Sequence, residues 1–233
     1  MQRFHPHPEP WGKFVDVKTN AVEVLQQQLR RAPPGDVFVS SACDGWQPIE
    51  KEYRLTRECC RLLAQHGFQV NVLTKSSLAL QDFDIFEGGK VRIGITLTSL
   101  DERLSRMWEP GAANIEERLH LITEATRSGL KTSIMFGPLL PCLSDSQESI
   151  DSFFELAAHF EIDMLWVDAL NPRPKVWSSV KTLLENEFPD LRDEYRRILF
   201  QPEARAAYLA QLRERVYRAA RQFHLQDVLA GCP

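Results

Sequence analysis

Two rhythms of apolar residues alternate along most of the chain. Short β-branched or apolar runs predict strands at "DVFV" (36–39), "QVNVLTK" (69–75), "VRIGITLTS" (91–99), "KTSIMFGPLLP" (131–141) and "IDMLWVDALNP" (162–172). Between them the spacing turns helical: "AVEVLQQQLRRA" after an Asn20 N-cap, "KEYRLTRECCRLLAQHG" closed by Gly67, "NIEERLHLITEATRSG" between Asn114 and Gly129, and "SQESIDSFFELAAHF". "SSLALQDFDIFEGGK" fits neither rhythm and is expected to be irregular. Past Asn171 the strands stop, and "VWSSVKTLLENEF", "DLRDEYRRILF" and "PEARAAYLAQLRERVYRAARQF" predict only helices. Strands separated by helices describe a parallel β/α protein, because a parallel strand is reached through a crossover. A doubly wound sheet or a barrel suits the pattern.

Composition narrows the picture. A chain of 233 residues that is 43% hydrophobic can bury one large core, or one domain with a small appendage. The net charge of -4 argues against gripping nucleic acid by overall charge. Arginine is concentrated near the end, at Arg192, Arg196, Arg197, Arg205, Arg213, Arg215, Arg218 and Arg221, which reads as a solvated helix face or a surface for an anionic partner. No apolar run reaches the roughly 20 residues needed to cross a bilayer, and Met1 is followed by a polar, proline-rich stretch instead of a signal peptide, so a cytoplasmic protein without membrane contact is expected. The five cysteines form no C-x-x-C pair and read as reduced thiols, with Cys59 and Cys60 as packing residues. His5, His7 and Glu9, interrupted by Pro6 and Pro8, do not read as a single-ion site.

In parallel β/α folds the chemistry gathers at the carboxyl ends of the strands. Those ends here are "SSACDGWQPIE", "TKSSLALQD", "TLTSLDERLSRMWEPG", "FGPLLPCLSD" and "DALNPRP". Each carries groups that a connector does not require: Asp44 and Glu50, Thr74 and Lys75, Thr96, Thr98 and Ser99 with Glu109, Cys142 and Asp145, Asp168 and Asn171. A single polar residue at a strand end is usually a turn or cap residue. Five such ends on one rim point to a site.

The ordered segments "HPEPWGKFVDVKTNAVEVLQQQL", "CDGWQPIEKEYRLTRECCRLL", "VNVLTKS", "ITLTS", "EPGAANIEERLHLI" and "SIMFGPLLPCLSD", over about residues 3 to 145, resemble the spore photoproduct lyase-like branch of the radical S-adenosylmethionine (SAM) proteins. The resemblance implies an α/β fold, a partial TIM-type (β/α) barrel of parallel strands over residues 1–172, followed by a C-terminal helical extension over 173–233. It also implies binding of SAM and a 4Fe-4S cluster, which with an electron donor yields a 5'-deoxyadenosyl radical for hydrogen abstraction. The substrate stays unassigned, with nucleic acid and photoproduct repair left open. The cluster's C-x-x-x-C-x-x-C motif is absent from the chain, and the resemblance places it upstream of Met1. Five strands stand where the family has six, so the first is expected to be missing, one sheet edge open, and the chain an N-terminally truncated form inactive alone. No metal ligand is assigned within these residues.

The residues carry a matching division of roles. Lys75 supplies a cation for the methionyl carboxylate of SAM. Thr96, Thr98 and Ser99 offer hydroxyls to a ribose. Asp44 and Glu50 bind the amino group or orient a neighbour, Trp46 stacks on a ring or caps the barrel mouth, and Gly137 lets backbone approach the adenine. Cys43 and Cys142 are candidate hydrogen-atom donors to a substrate radical. Two alternatives remain: a Schiff-base aldolase-like enzyme using Lys75, and a non-catalytic barrel that binds a partner through its arginine-bearing helices.

Overall fold

The computed structural model describes residue 9 and residues 13–39, 43–171 and 173–233; His5 and His7 lie outside them. Six strands, β1 (Asp36–Val39), β2 (Gln69–Thr74), β3 (Val91–Leu97), β4 (Lys131–Leu139), β5 (Met164–Ala169) and β6 (Leu229–Gly231), pair in sequential order. Every pairing is parallel. The sheet curls into a half-barrel with helices around it, the partial TIM-type barrel expected from the sequence. All carboxyl-terminal strand tips therefore face one end of the molecule. Among the described residues β1 pairs only with β2, and its Phe38 is 45% exposed.

The helices are α1 (Ala21–Leu29), α2 (Glu50–Tyr53), α3 (Leu55–Gln65), α4 (Glu102–Trp108), α5 (Ile115–Arg127), α6 (Gln147–Ala158), α7 (Pro174–Glu187), α8 (Arg192–Phe200) and α9 (Pro202–Gln222). Two local differences from the sequence expectation have clear causes. The predicted single helix over 51–67 is broken at Arg54, which adopts a left-handed φ of 50°. The break frees the first turn of α3 to be capped by a distant carboxylate, as Glu50 accepts a hydrogen bond from the Arg57 backbone N–H. The stretch expected to be irregular is a 3-10 helix, Ser77–Phe86, opened by the Ser76 hydroxyl, which accepts from Leu78 N–H. α5 starts as its sequence suggested, with Asn114 and Glu117 forming a reciprocal capping box, and Gly129 follows it at φ 71°.

One strand escaped the sequence pattern. β6 is only "LAG", and neither alanine nor glycine favours extended structure, so its place beside β5 is set by α9 returning to the sheet. α9 buries Tyr208, Leu212, Val216, Ala219 and Ala220 in the same core as Val70, Ile93, Ile134, Phe136 and Leu165 of the strands. α7 and α8 add a smaller cluster of Val180, Leu184, Tyr195 and Leu199 around Leu170. No described helix is long and apolar enough to cross a membrane.

The centre of the sheet is packed closely enough to demand glycine. A Cβ on Gly94 of β3 would lie 2.3 Å from Ser133 Oγ and 3.0 Å from the Val72 carbonyl oxygen. Gly94→Ala is expected to lower unfolding free energy by about 1–3 kcal/mol in urea titration. The Gly94→Ala/Ser133→Ala pair should regain part of that loss. Equal stability of Gly94→Ala and wild type would show that β3 has room to spare.

Candidate functional site at the strand tips

The loop after β1 is tied to the tip of β2 through one carboxylate. Asp44 accepts hydrogen bonds from Trp46 N–H at 2.9 Å, Thr74 Oγ1 at 2.8 Å and Lys75 N–H at 2.7 Å. The Lys75 carbonyl accepts from Ala113 N–H at 2.9 Å, so the Lys75 backbone is held from both sides. Trp46 is fully buried, and its indole N–H donates to Asp82 at 2.8 Å. Arg57 Nη1 donates to the other oxygen of Asp82 at 3.0 Å.

Glu109 connects β2 and β3 to α5. Its Oε1 lies 3.0 Å from Lys75 Nζ and accepts from Thr98 Oγ1 at 2.6 Å, while Oε2 accepts from Arg118 Nη1 at 2.7 Å. Arg118 also donates to the carbonyls of Thr96 and Ala113, each at 2.8 Å. The Arg118 side chain is 2% exposed and that of Glu109 5%. Two ions this deep are tolerable only because each meets the other and several further polar atoms. Burial alone raises the Glu109 carboxyl, but the Lys75 and Arg118 charges and the Thr98 hydrogen bond outweigh it and hold the group below its ordinary value.

These residues border a cavity of about 1230 Å³. Asp44, Trp46 and Lys75 line it, as does Glu109. The other expected cofactor residues stand away from its lining. Glu50 caps α3, and burial raises its carboxyl although Arg57 and Thr56 hydrogen bonds oppose the shift. Thr96 offers its carbonyl to Arg118, Thr98 its hydroxyl to Glu109, and Ser99 Oγ accepts from Asp101 N–H at 3.0 Å. Gly137 is pressed against β5, where a Cβ would come 2.9 Å from the Asp168 carbonyl oxygen; its neighbour Pro138 lines the cavity instead.

Cys43 and Cys142 are both exposed, and neither lines the cavity. Although the residue is exposed, partial desolvation of its thiol, with Asp145 and Glu194 nearby, raises Cys142 and keeps it protonated at neutral pH. Among the described residues no three His, Cys, Asp or Glu side chains converge to hold a metal ion. The five cysteines do not fit a 4Fe-4S cluster, which needs thiolates on one face.

Arg118 carries no role in the sequence reading, although a signal for it exists. It shares the inward stripe of α5 with Leu121, Ile122 and Ala125, a charged residue in an apolar position that calls for a buried partner. Asp82 was hidden in the stretch expected to be irregular.

No family model matches the chain. An uncharacterized protein, Rv2578c of Mycobacterium tuberculosis, is 30% identical over 209 residues, covering 87% of this chain and 62% of the relative. A radical SAM Nalpha-GlyT isomerase of Pseudomonas phage M6 is 24% identical over 149 residues, 62% of this chain and 31% of that protein. The structure of spore photoproduct lyase complexed with dinucleoside spore photoproduct superposes with a TM-score of 0.61 at 15% identity, over 92% of this chain and 66% of that one. The last likeness is one of fold. The chain spans 51% to 62% of the length of the first curated relatives it matches.

Removing the Glu109 charge strands Arg118 in the interior. Glu109→Gln is expected to cost about 3 kcal/mol of unfolding free energy at pH 7. A lowered carboxyl stabilises the fold fully above its unfolded value near 4.5 and loses that contribution as pH falls through the lower folded value. The gap between wild type and variant should therefore close on acidification below that point. A gap independent of pH would mean that the carboxylate charge is not what holds the site.

Proposed function

We propose that the chain is the barrel portion of a radical SAM protein of the spore photoproduct lyase-like type, and that the cavity at the strand tips binds SAM. The likeness in fold to spore photoproduct lyase and the sequence likeness to the phage radical SAM isomerase support this reading. The observation that carries it is the alternation Asp44, Lys75, Glu109 on one cavity wall. A zwitterionic amino-acid head group needs a cation and a carboxylate side by side, and Lys75 and Glu109 stand 3.0 Å apart. Lys75 holds the methionyl carboxylate. Glu109, fixed by Arg118 and Thr98, receives the amino group. Asp44 acts as a positioning residue that sets the Lys75 backbone.

When bound together, SAM and a 4Fe-4S cluster supply a 5'-deoxyadenosyl radical that takes hydrogen from a substrate. The described residues do not hold the cluster, so its thiolates have to come from elsewhere, and catalysis by this portion alone is not expected. Cys43 and Cys142 keep their candidacy as hydrogen-atom donors, and nucleic acid stays open as a substrate.

The Schiff-base alternative draws less support. The Lys75–Glu109 ion pair suits charge binding more than attack on a carbonyl. Borohydride should accordingly trap no carbonyl adduct on Lys75. The partner-binding alternative rests on the arginine-bearing helices alone.

In a form of the protein supplied with a reconstituted cluster, SAM should bind with 1:1 stoichiometry in calorimetric titration. Lys75→Ala should weaken that binding by about 1–3 kcal/mol, the cost of losing a charge-assisted contact. Unchanged affinity in the variant would remove Lys75 from the site.

A further inference from the structure

Asp82 lies outside the cavity lining, yet it is only 2% exposed and carries a charge that the interior admits only with partners. Three side chains answer it. The Trp46 indole N–H donates to Oδ2 at 2.8 Å, Arg57 Nη1 donates to Oδ1 at 3.0 Å, and Arg54 Nη2 stands 3.7 Å from Oδ1. Arg57 is itself fixed, since its guanidinium also donates to both carboxylate oxygens of Asp84 and to the Gln81 carbonyl. Filling the core at residue 46 needs only an apolar ring. A buried carboxylate on the one polar atom of that ring fixes its direction as well.

Trp46 passes that direction on. Its backbone N–H donates to Asp44 Oδ1 at 2.9 Å, and Thr56 Oγ1 holds the Gly45 carbonyl between them at 2.8 Å. With Oδ1 engaged by Trp46, Asp44 Oδ2 accepts from Lys75 N–H at 2.7 Å. The bonds thus run from Asp82 through Trp46 and Asp44 to Lys75, whose ammonium stands 3.0 Å from Glu109. The backbone from Lys75 into the 3-10 helix leads back to Asp82 and closes the circuit.

We propose that Asp82 is a positioning residue of the cavity: it fixes the Trp46 ring, and through Trp46 and Asp44 it sets where Lys75 stands against Glu109. An acid with a purely local role would steady the 3-10 helix and leave Lys75 in place. The inference rests on the SAM reading only for what Lys75 then holds.

The reactivity of Lys75 reports its position. Its side chain is 37% exposed and held against a carboxylate, so a reagent reaches it less often than an amine free in solvent. Trace acetylation of the folded chain, read by peptide mass spectrometry, compares Lys75 with Lys131, exposed at the amino end of β4. Trp46→Phe removes the indole N–H but keeps a ring and the Asp82–Arg57 pair, so it keeps the test decisive if Asp82→Ala fails to fold. In both variants Lys75 should label at least twofold faster relative to Lys131. The double variant should label no faster than Asp82→Ala alone, because residues acting in series do not add. Val216→Ala, a core truncation in α9, which carries none of these bonds, should keep the wild-type ratio. A wild-type ratio in Trp46→Phe, or additive effects in the double variant, would overturn the inference whatever the ligand is. In the protein supplied with a cluster, Trp46→Phe should also weaken SAM binding at least twofold. Faster labelling without that loss would remove Lys75 from the SAM site and leave the positioning role standing.

Discussion

A carboxylate buried between two cations holds the rim of this barrel together. Lys75 follows β2, while Glu109 follows α4 and Arg118 sits one turn into α5 of the β3–β4 connection, so two successive connections meet at one side chain. The geometry is demanding, because a buried guanidinium and a buried carboxylate are each costly unless every polar atom finds a partner. Arg118 meets that demand through Glu109 and the carbonyls of Thr96 and Ala113. The same bonds fix the β3 tip against the loop before α5, and the rest of the cavity wall is built on that fixed point.

The parallel order of the strands makes this convergence possible. Each β/α unit sets its strand beside the one before, so five successive loops open at the same end. Polar residues far apart in the chain then become neighbours, as Asp44 and Lys75 do at 2.7 Å. Asp44 shows how such a loop divides its labour. Its oxygens are engaged by Trp46, Thr74 and Lys75, so it orders the wall, and the Lys75 ammonium beside Glu109 faces the cavity.

Much of the fold was legible because periodicity reports burial. β1 to β5 hold short β-branched or apolar runs, and α5 announces both ends with Asn114 and Gly129. β6 was not legible, since three small residues carry no pattern and only the docking of α9 makes them a strand. On the cavity lining, Asp44, Trp46 and Lys75 could be picked out by their position after strands. Thr98 and Ser99 were chosen by the same rule, yet their hydroxyls are used within the protein, because a strand end also supplies partners for the next turn. Glu50 looked like a ligand group and is a helix cap, a difference that depends on the left-handed turn at Arg54. Arg118 required knowing that α5 turns that residue inward.

The assignment of the charged wall is tested most directly by comparing SAM with its decarboxylated analogue, on the cluster-bearing protein and its Lys75→Ala variant. If Lys75 holds the carboxylate, wild type should bind the analogue at least tenfold more weakly than SAM, and the variant should bind the two alike. An equal preference for SAM in both proteins would contradict that assignment.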